Sequence, residues 1–304
     1  GRCPEGMTVT LYDDGHVYAL PINNHGHNWV WFNKSVLDAA GAKEPVTWDD
    51  LFAALDAIKA KGNAIPLAVG AQPWQLGQTF WTVLVTEGGA DLYYKVNRDL
   101  DVEAVKSPEF RKVVETFIKL RDYSDEGSAN REWNVAANMV ITGQAGFHFM
   151  GDWAKGEYLA AGQTPGVEFG CQLLGNGDGH QNFIVASDAF IFPLDGADGL
   201  NEAQTLLATT MMSKEVQVAF NAKKGSVPAR LDVDMASLDA CSQEGVAALQ
   251  DPNQRIAATD FLNTPDYIGA ERDLAATFWA DPAMTVDQFI EAYVALVETE
   301  ASMR

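Results

Sequence analysis

Tryptophan in polar turns is the pattern in this sequence with the clearest chemical meaning. Three of the eight tryptophans lie among polar, Gly or Pro residues: Trp74 in AQPWQ, Trp133 in REWN and Trp153 in GDWAKGE. An indole stacks on the apolar C–H face of a pyranose ring, and the sugar hydroxyls need polar partners around it. These positions predict a sugar site, although the alternative that they only seal loops onto the core stays open. The predicted core tryptophans have more apolar neighbours: Trp29, Trp31, Trp81 and Trp279.

Catalytic motifs give little support to an enzyme. The sequence has no GxSxG, no Walker loop, no GxGxxG and no HExxH. Two carboxylate pairs, Asp13-Asp14 and Asp49-Asp50, have the residue types of a glycosidase. They are expected in a turn and at a helix start, where Asp bonds the backbone. The prediction is therefore a protein that is not an enzyme, with a glycosidase-type enzyme using cleft carboxylates as the alternative.

Three histidines, His16, His25 and His27, stand close together in the sequence. The His-x-His spacing suits two metal ligands, but no acidic or Cys partner accompanies it at a recognisable spacing. We predict no metal and no cofactor, and expect a histidine that hydrogen bonds in a polar cleft.

The charge balance limits the classes of partner. The chain has 304 residues, 42 acidic and 21 basic, giving a formal net charge of −21. This charge repels phosphate backbones, so nucleic acid is excluded as a partner. No apolar run approaches the roughly 18 residues that span a bilayer, so membrane insertion is excluded too. The length and the hydrophobic fraction of 47% suit two globular domains.

Three cysteines, Cys3, Cys171 and Cys241, form no CxxC motif. A disulfide between the last two would require an oxidising compartment, and buried free thiols are the equal alternative on composition alone.

Capping patterns predict the boundaries of several helices. TWDD at Thr47 to Asp50 starts a helix that ends at Gly62. Ser107-Pro108 places a cap before a proline, and TVDQ at Thr285 to Gln288 is a capping box. The residues that follow each cap repeat with helical spacing.

Short β-prone segments alternate with these helices. We predict a hairpin over Thr8 to Leu20 around Asp14-Gly15. Further strands are predicted at Trp29–Phe32, Ile65–Val69, Ala145–Met150 and Phe183–Phe192. The alternation predicts an α/β fold.

The order of these segments resembles a known family over essentially the whole chain. The matching segments are YDDGHVYALPIN, WVWFNKSVLDAAG, PVTWDDLFAALDAIKAKG, GDWAKGE, the strand Ile184–Phe192 and NAKKGSVPAR. Together they resemble the extracellular solute-binding proteins of bacterial ABC sugar importers. GDWAKGEY, GAQPWQ and KKGSVPAR are most similar to the glucose/mannose-binding branch.

The resemblance implies a two-lobed, type II periplasmic-binding fold with the sugar cleft between the lobes at the crossing strands. Residue by residue, it implies that Trp153 stacks on the sugar, Asp188 supplies a carboxylate from a crossing strand and Lys224 an ammonium group. His25 and Trp74 are implied near the cleft by position. Cysteines near those of the branch imply the disulfide Cys171–Cys241.

The implied function is high-affinity capture of a monosaccharide, glucose or a related hexose, in the periplasm. The ligand would pass unchanged to the membrane permease subunits of an ABC importer. In the family, on the order of 100 residues precede the hairpin, about one domain's worth. The first lobe is thus expected to be incomplete, comprising 1–20 and 188–259, with 21–187 and 260–304 in the second. We expect this form to bind sugar more weakly than a longer one.

Overall fold

The structure is a computed structural model that describes residues 12–13, 16–17, 19–176, 179–193, 199, 201–230, 232–234, 236 and 238–304. Twelve strands are assigned within these residues: β1 Tyr12–Asp13, β2 His16–Val17, β3 Ala19–Pro21, β4 Asn23–Gly26, β5 Trp29–Asn33, β6 Ile65–Ala68, β7 Ala145–Met150, β8 Phe169–Leu173, β9 Phe183–Ala186, β10 Ala189–Ile191, β11 Val227–Pro228 and β12 Arg255–Ala257.

Helices alternate with the strands, which confirms the predicted α/β class. Their bounds are α1 Lys34–Ala40, α2 Trp48–Lys61, α3 Pro73–Glu87, α4 Gly89–Asn97, α5 Val102–Val105, α6 Pro108–Lys119, α7 Trp133–Ile141, α8 Ala154–Ala160, α9 Glu202–Met211, α10 Lys214–Lys224, α11 Ala240–Gln250, α12 Pro265–Ala280 and α13 Val286–Met303. Short 3₁₀ turns lie at Leu120–Tyr123, Glu126–Ser128 and Thr259–Phe261.

The predicted helix starts are confirmed by their hydrogen bonds. Thr47 and Asp50 form a reciprocal capping box before α2, and Thr285 and Gln288 form another before α13. Ser107 caps α6, whose first residue is a proline. Gly62 ends α2 with φ of 71°, a left-handed conformation that glycine adopts without strain.

Two four-stranded sheets organise the fold. One has the strand order β6-β7-β5-β8, with β5 antiparallel to both neighbours. Both faces of β5 are buried: Val30 and Phe32 belong to one core cluster, Trp29 and Trp31 to another. The other sheet has the order β11-β4-β9-β12. The four tryptophans predicted to be core are at most 5% exposed.

The predicted strand Phe183–Phe192 is wrong in its continuity, because the structure divides it into β9 and β10 at 187–188. The opposite segment breaks at Ile22, between β3 and β4. Pro21 pairs with Ala189 and His25 pairs with Ala186, so residues 22–24 face 187–188. Three residues of the β3–β4 segment therefore face two of the β9–β10 segment, and the one extra residue makes a β-bulge. The amide of Asp188 donates to Oδ1 of Asn23 at 2.8 Å, replacing a backbone partner.

A disulfide joins Cys171 on β8 to Cys241 in the first turn of α11, with Cα atoms 6.0 Å apart. Strands β1 and β2 are antiparallel, pairing Tyr12 with Val17, as a hairpin requires. The positions predicted for its turn, 14–15, and Cys3 lie outside the described residues.

The described residues contain neither a membrane-spanning helix nor a metal-binding cluster. No helix in them is long and apolar enough to cross a bilayer. They also contain no group of three His, Cys, Asp or Glu residues placed to hold a metal ion.

Candidate functional site

A cleft of about 550 Å³ lies beside the β-bulge between the β3–β4 and β9–β10 segments. It brings together the five residues predicted for the site, His25, Trp74, Trp153, Asp188 and Lys224. The remaining lining residues are His27, Trp133, Gly156, Glu157, Ala186 and Lys223.

The three cleft tryptophans share a structural position. Trp74 lies in the first turn of α3, Trp133 is the first residue of α7, and Trp153 directly precedes α8. Each is partly exposed, unlike the buried core tryptophans. All three line the cleft, so these indoles can face a ligand.

A hydrogen-bond network ties Trp74 to the start of α7. The Oε1 atom of Gln72 accepts from the indole N–H of Trp74 at 3.0 Å and from Gln75 at 2.8 Å. The Nε2 atom of Gln72 donates to Glu132, the residue before Trp133, at 2.9 Å. The network therefore links the turn that carries Trp74 to the residue before Trp133.

Trp153 is held by close contacts with its own loop and with two histidines. A Cβ atom at Gly151 would lie 2.2 Å from the indole, so only glycine leaves room for this ring position. The rings of His25 and His27 contact the indole edge-on, with centroids 5.3 and 5.5 Å away.

Two glycines explain why α8 and α10 meet at the cleft. Gly225 follows α10 with φ of 90°, and a Cβ atom there would lie 2.3 Å from the carbonyl oxygen of Asp152. A Cβ atom of Gly156 would lie 3.0 Å from the carbonyl oxygen of Lys223. Because the backbones approach so closely, Lys224 reaches the cleft, 3.9 Å from Oδ2 of Asp188.

A buried ion pair links α8 to Asp239, the residue that caps α11. The ammonium group of Lys155, 1% exposed, donates to Asp239 at 2.8 Å and also to the hydroxyl of Ser242. The charge of Lys155 lowers the pKa of Asp239 against the opposing effect of burial.

His25 bonds two carboxylates. Its Nδ1 atom contacts Asp152, and its Nε2 atom lies 3.1 Å from Oδ2 of Asp188 and 3.0 Å from Nδ2 of Asn23. Burial alone would lower the pKa of His25, but the charges and hydrogen bonds of the two carboxylates outweigh it and raise the pKa to about 9. The hydrogen bond from His25 lowers the pKa of Asp188 well below its usual value, and Asn23 and Lys224 act in the same direction.

The second cleft histidine has the opposite environment. Burial lowers the pKa of His27 to about 4, so its ring is neutral at physiological pH. Its Nδ1 atom has no hydrogen-bond partner within the described part of the chain.

This arrangement can bind a ring with an apolar face and several hydroxyl groups. The indoles supply stacking surfaces, and Asp188, Glu157 and the two lysines supply acceptors and donors. Because Asp188 is held ionised, it cannot act as the general acid that a glycosidase requires.

The sequence indicated some of the supporting residues less directly. Trp133 was in the tryptophan pattern, and His27 in the histidine cluster, but neither was predicted as a site residue. Asn23 and Asp152, both buried, were missed. Their signals were faint: Asn23 opens a polar stretch, and Asp152 precedes Trp153 in the GDW motif.

The molecule is thus an α/β protein with a cleft lined by indoles and charged side chains. The family model described as bacterial extracellular solute-binding protein matches residues 5–210. The chain therefore belongs to this family.

Similar proteins support the assignment. The chain is 43% identical over 242 residues to a probable sugar-binding periplasmic protein of Brucella suis biovar 1, covering 80% of this chain and 56% of that protein. It is 39% identical over 290 residues to a protein of the same description from Mesorhizobium japonicum, covering 94% and 69%. The chain thus spans little more than half the length of the first relative.

Comparison with a solved structure supports the predicted fold. The bacterial solute receptor AcbH, described as having an exclusive preference for β-D-galactopyranose, superposes with a TM-score of 0.81 at 21% identity. The match covers 99% of this chain and 76% of that one. The predicted two-lobed α/β fold is confirmed, whereas the assignment of residue ranges to lobes stays a prediction.

Proposed function

We propose that this chain is the sugar-capturing component of a bacterial ABC importer, acting in the periplasm. It binds a monosaccharide, glucose or a related hexose, in the cleft and passes it unchanged to membrane permease subunits. The relatives described as sugar-binding periplasmic proteins support this proposal. In it, residues 1–20 and 188–259 belong to the first lobe and 21–187 and 260–304 to the second, with the sugar cleft between the lobes at the crossing strands.

The observation that carries the proposal is the convergence of three indoles with a charged rim. Trp74, Trp133 and Trp153 come from three different helix starts, and Asp188 and Lys224 lie beside them. In this arrangement Trp153 stacks on the sugar ring, while the carboxylate and the ammonium group bond its hydroxyls.

Calorimetry with a panel of neutral monosaccharides, beside an assay for reaction products, tests the proposal. We expect binding without turnover. Trp153→Ala, Asp188→Asn and Lys224→Ala should each weaken affinity about ten- to hundredfold, since each removes a stacking surface or leaves a hydroxyl unpaired.

Lys214→Ala provides the matched control, because Lys214 begins the same helix that Lys224 ends and pairs with Asp232 at 3.3 Å. This variant should bind as the parent does. Turnover of any sugar, or unchanged affinity in all three cleft variants, would refute the proposal.

A further inference from the structure

His25 lies between the two segments that carry the proposed ligand contacts. Asp152, on one side, directly precedes Trp153, and Asp188, on the other, lies in the bulge of the crossing strands. The side chains of His25 and Asp152 are only 6% and 5% exposed, whereas that of Asp188 is 53% exposed and lines the cleft. The imidazole thus connects a buried carboxylate to an accessible one.

The two carboxylates, one at each ring nitrogen, favour a doubly protonated ring over a neutral one. Each ring nitrogen faces a carboxylate oxygen. An ionised carboxylate can only accept a hydrogen bond, so the proton of each bond belongs to the ring. Asn23 Nδ2 lies 3.0 Å from Nε2 of His25 and donates to the same Oδ2 atom of Asp188 at the shorter distance of 2.8 Å, so its hydrogen bond to the carboxylate leaves Nε2 free to carry a proton. Within the described residues, Oδ1 of Asp188 accepts no hydrogen bond, so this oxygen is available to a ligand.

Asp152, the partner of the His25 Nδ1 atom, is held in place by two hydrogen bonds to the backbone of Gly26. Oδ2 of Asp152 accepts from the amide of Gly26 at 2.9 Å, and the amide of Asp152 donates to the carbonyl of Gly26 at the same distance. The loop that holds Trp153 is therefore fastened to β4 next to His25. The ring of His25 also contacts the edge of the Trp153 indole.

We propose that His25 is a positioning residue, whose doubly protonated ring fixes the Asp188 carboxylate and the Trp153 indole in one mutual orientation. A sugar stacked on Trp153 would then meet the available oxygen of Asp188. This inference rests on the proposed function and adds to it a residue that acts through two others.

The first test needs no ligand. Nitrogen NMR of the imidazole rings, with His25 assigned, reports whether both nitrogens carry protons at pH 8. The charged and titratable groups facing this ring or its partners are Asp152, Asp188, His27 and Lys224. We expect a doubly protonated ring in the parent protein and a ring that loses a proton at that pH in Asp188→Asn or Asp152→Asn.

His27→Gln is the matched control for this measurement, because His27 also contacts the edge of Trp153 and bonds neither carboxylate. His25 should remain doubly protonated in it. A neutral His25 ring in the parent protein at pH 8 would overturn the proposal, and this outcome does not depend on any variant folding.

The second test is a double-mutant cycle with D-glucose. Asn at position 25 keeps a donor near the Nδ1 position but cannot reach Asp188, so His25→Asn should weaken binding about ten- to hundredfold. In the Asp188→Asn background the further loss should be clearly smaller, because only the contact between His25 and Trp153 remains to be removed. Fully additive losses would show that His25 does not act through Asp188.

The two tests separate this inference from the proposed function. If the parent protein binds no sugar of the panel, the proposed function fails, and the NMR test still decides whether His25 orders the cleft. If sugars bind but His25 is neutral at pH 8, only the positioning role is refuted.

Discussion

Glu271 shows at the scale of one residue how burial sets a charge. Its side chain is 1% exposed, and the hydroxyl of Tyr293 donates to its Oε1 atom. Burial raises the pKa of Glu271 from 4.5 to about 7, and the hydrogen bond from Tyr293 opposes this only in part. A carboxyl group with a raised folded-state pKa favours folding at low pH, and this contribution is lost as pH rises from 4.5 through 7.

The prediction at this scale concerns Glu271→Gln. Glutamine keeps an acceptor for Tyr293 without a charge to bury, so the variant should be more stable at pH 8 by about 1–3 kcal/mol. The gain should shrink towards pH 5, where Glu271 is already protonated in the fold. Urea unfolding at both pH values measures this, with the exposed Glu298→Gln as control. A variant less stable than the parent at pH 8 would contradict the assignment.

At the scale of elements, the bulge between the crossing strands depends on Asn23. This residue is fully buried and bonds Asp188 twice, through the backbone amide and the carboxylate, each at 2.8 Å. The hydroxyl of Ser187 donates to the carbonyl of Asn23 at 2.6 Å. One side chain thus supplies the partners that the interrupted ladder lacks.

We therefore expect Asn23→Ala to lower the free energy of unfolding by about 1–3 kcal/mol, because it leaves the backbone amide and the carboxylate of Asp188 without the side chain that bonds them. Asn24→Ala is the matched control: Asn24 is also buried, but its Nδ2 atom makes one bond, to the carbonyl of Pro228 at 3.1 Å. Chemical denaturation should show a smaller loss for the control. Equal losses would mean that the bonds to Asp188 add nothing to stability.

At the scale of the whole molecule, the disulfide joins parts of the chain 70 residues apart. It connects β8 of one sheet to α11, whose cap residue Asp239 also pairs with Lys155. The helix that anchors α8 behind Trp153 is therefore itself anchored covalently. In the chain-entropy model, closing a loop of this length stabilises a protein by about 4 kcal/mol.

The double variant Cys171→Ser, Cys241→Ser should accordingly lower the free energy of unfolding by about 4 kcal/mol. Adding a reductant should destabilise the parent protein and leave the variant unchanged, which serves as the control. Thiol titration of the unreduced, denatured parent protein should detect one free thiol of three. Detecting three would exclude the disulfide.

Features that depend on neighbouring residues could be predicted from the sequence. Capping boxes at Thr47 and Thr285 use donors and acceptors three residues apart, so their helices were predicted correctly. The surroundings of seven tryptophans separated core from cleft positions, because buried runs are apolar; Trp48, in the polar helix start TWDD, is the exception and is buried. The resemblance of several motifs then indicated the family and five lining residues of the cleft.

Interactions between segments that are distant in the sequence could not be predicted in this way. The break at Ser187-Asp188 follows from the side chain of Asn23, 165 positions away from Asp188 in the sequence. The raised pKa of His25 depends on Asp152, 127 positions away, and no local pattern encodes that contact. Hydrogen bonds and charges act through space over a few ångströms, so pairs far apart in sequence become visible only when the chain is folded.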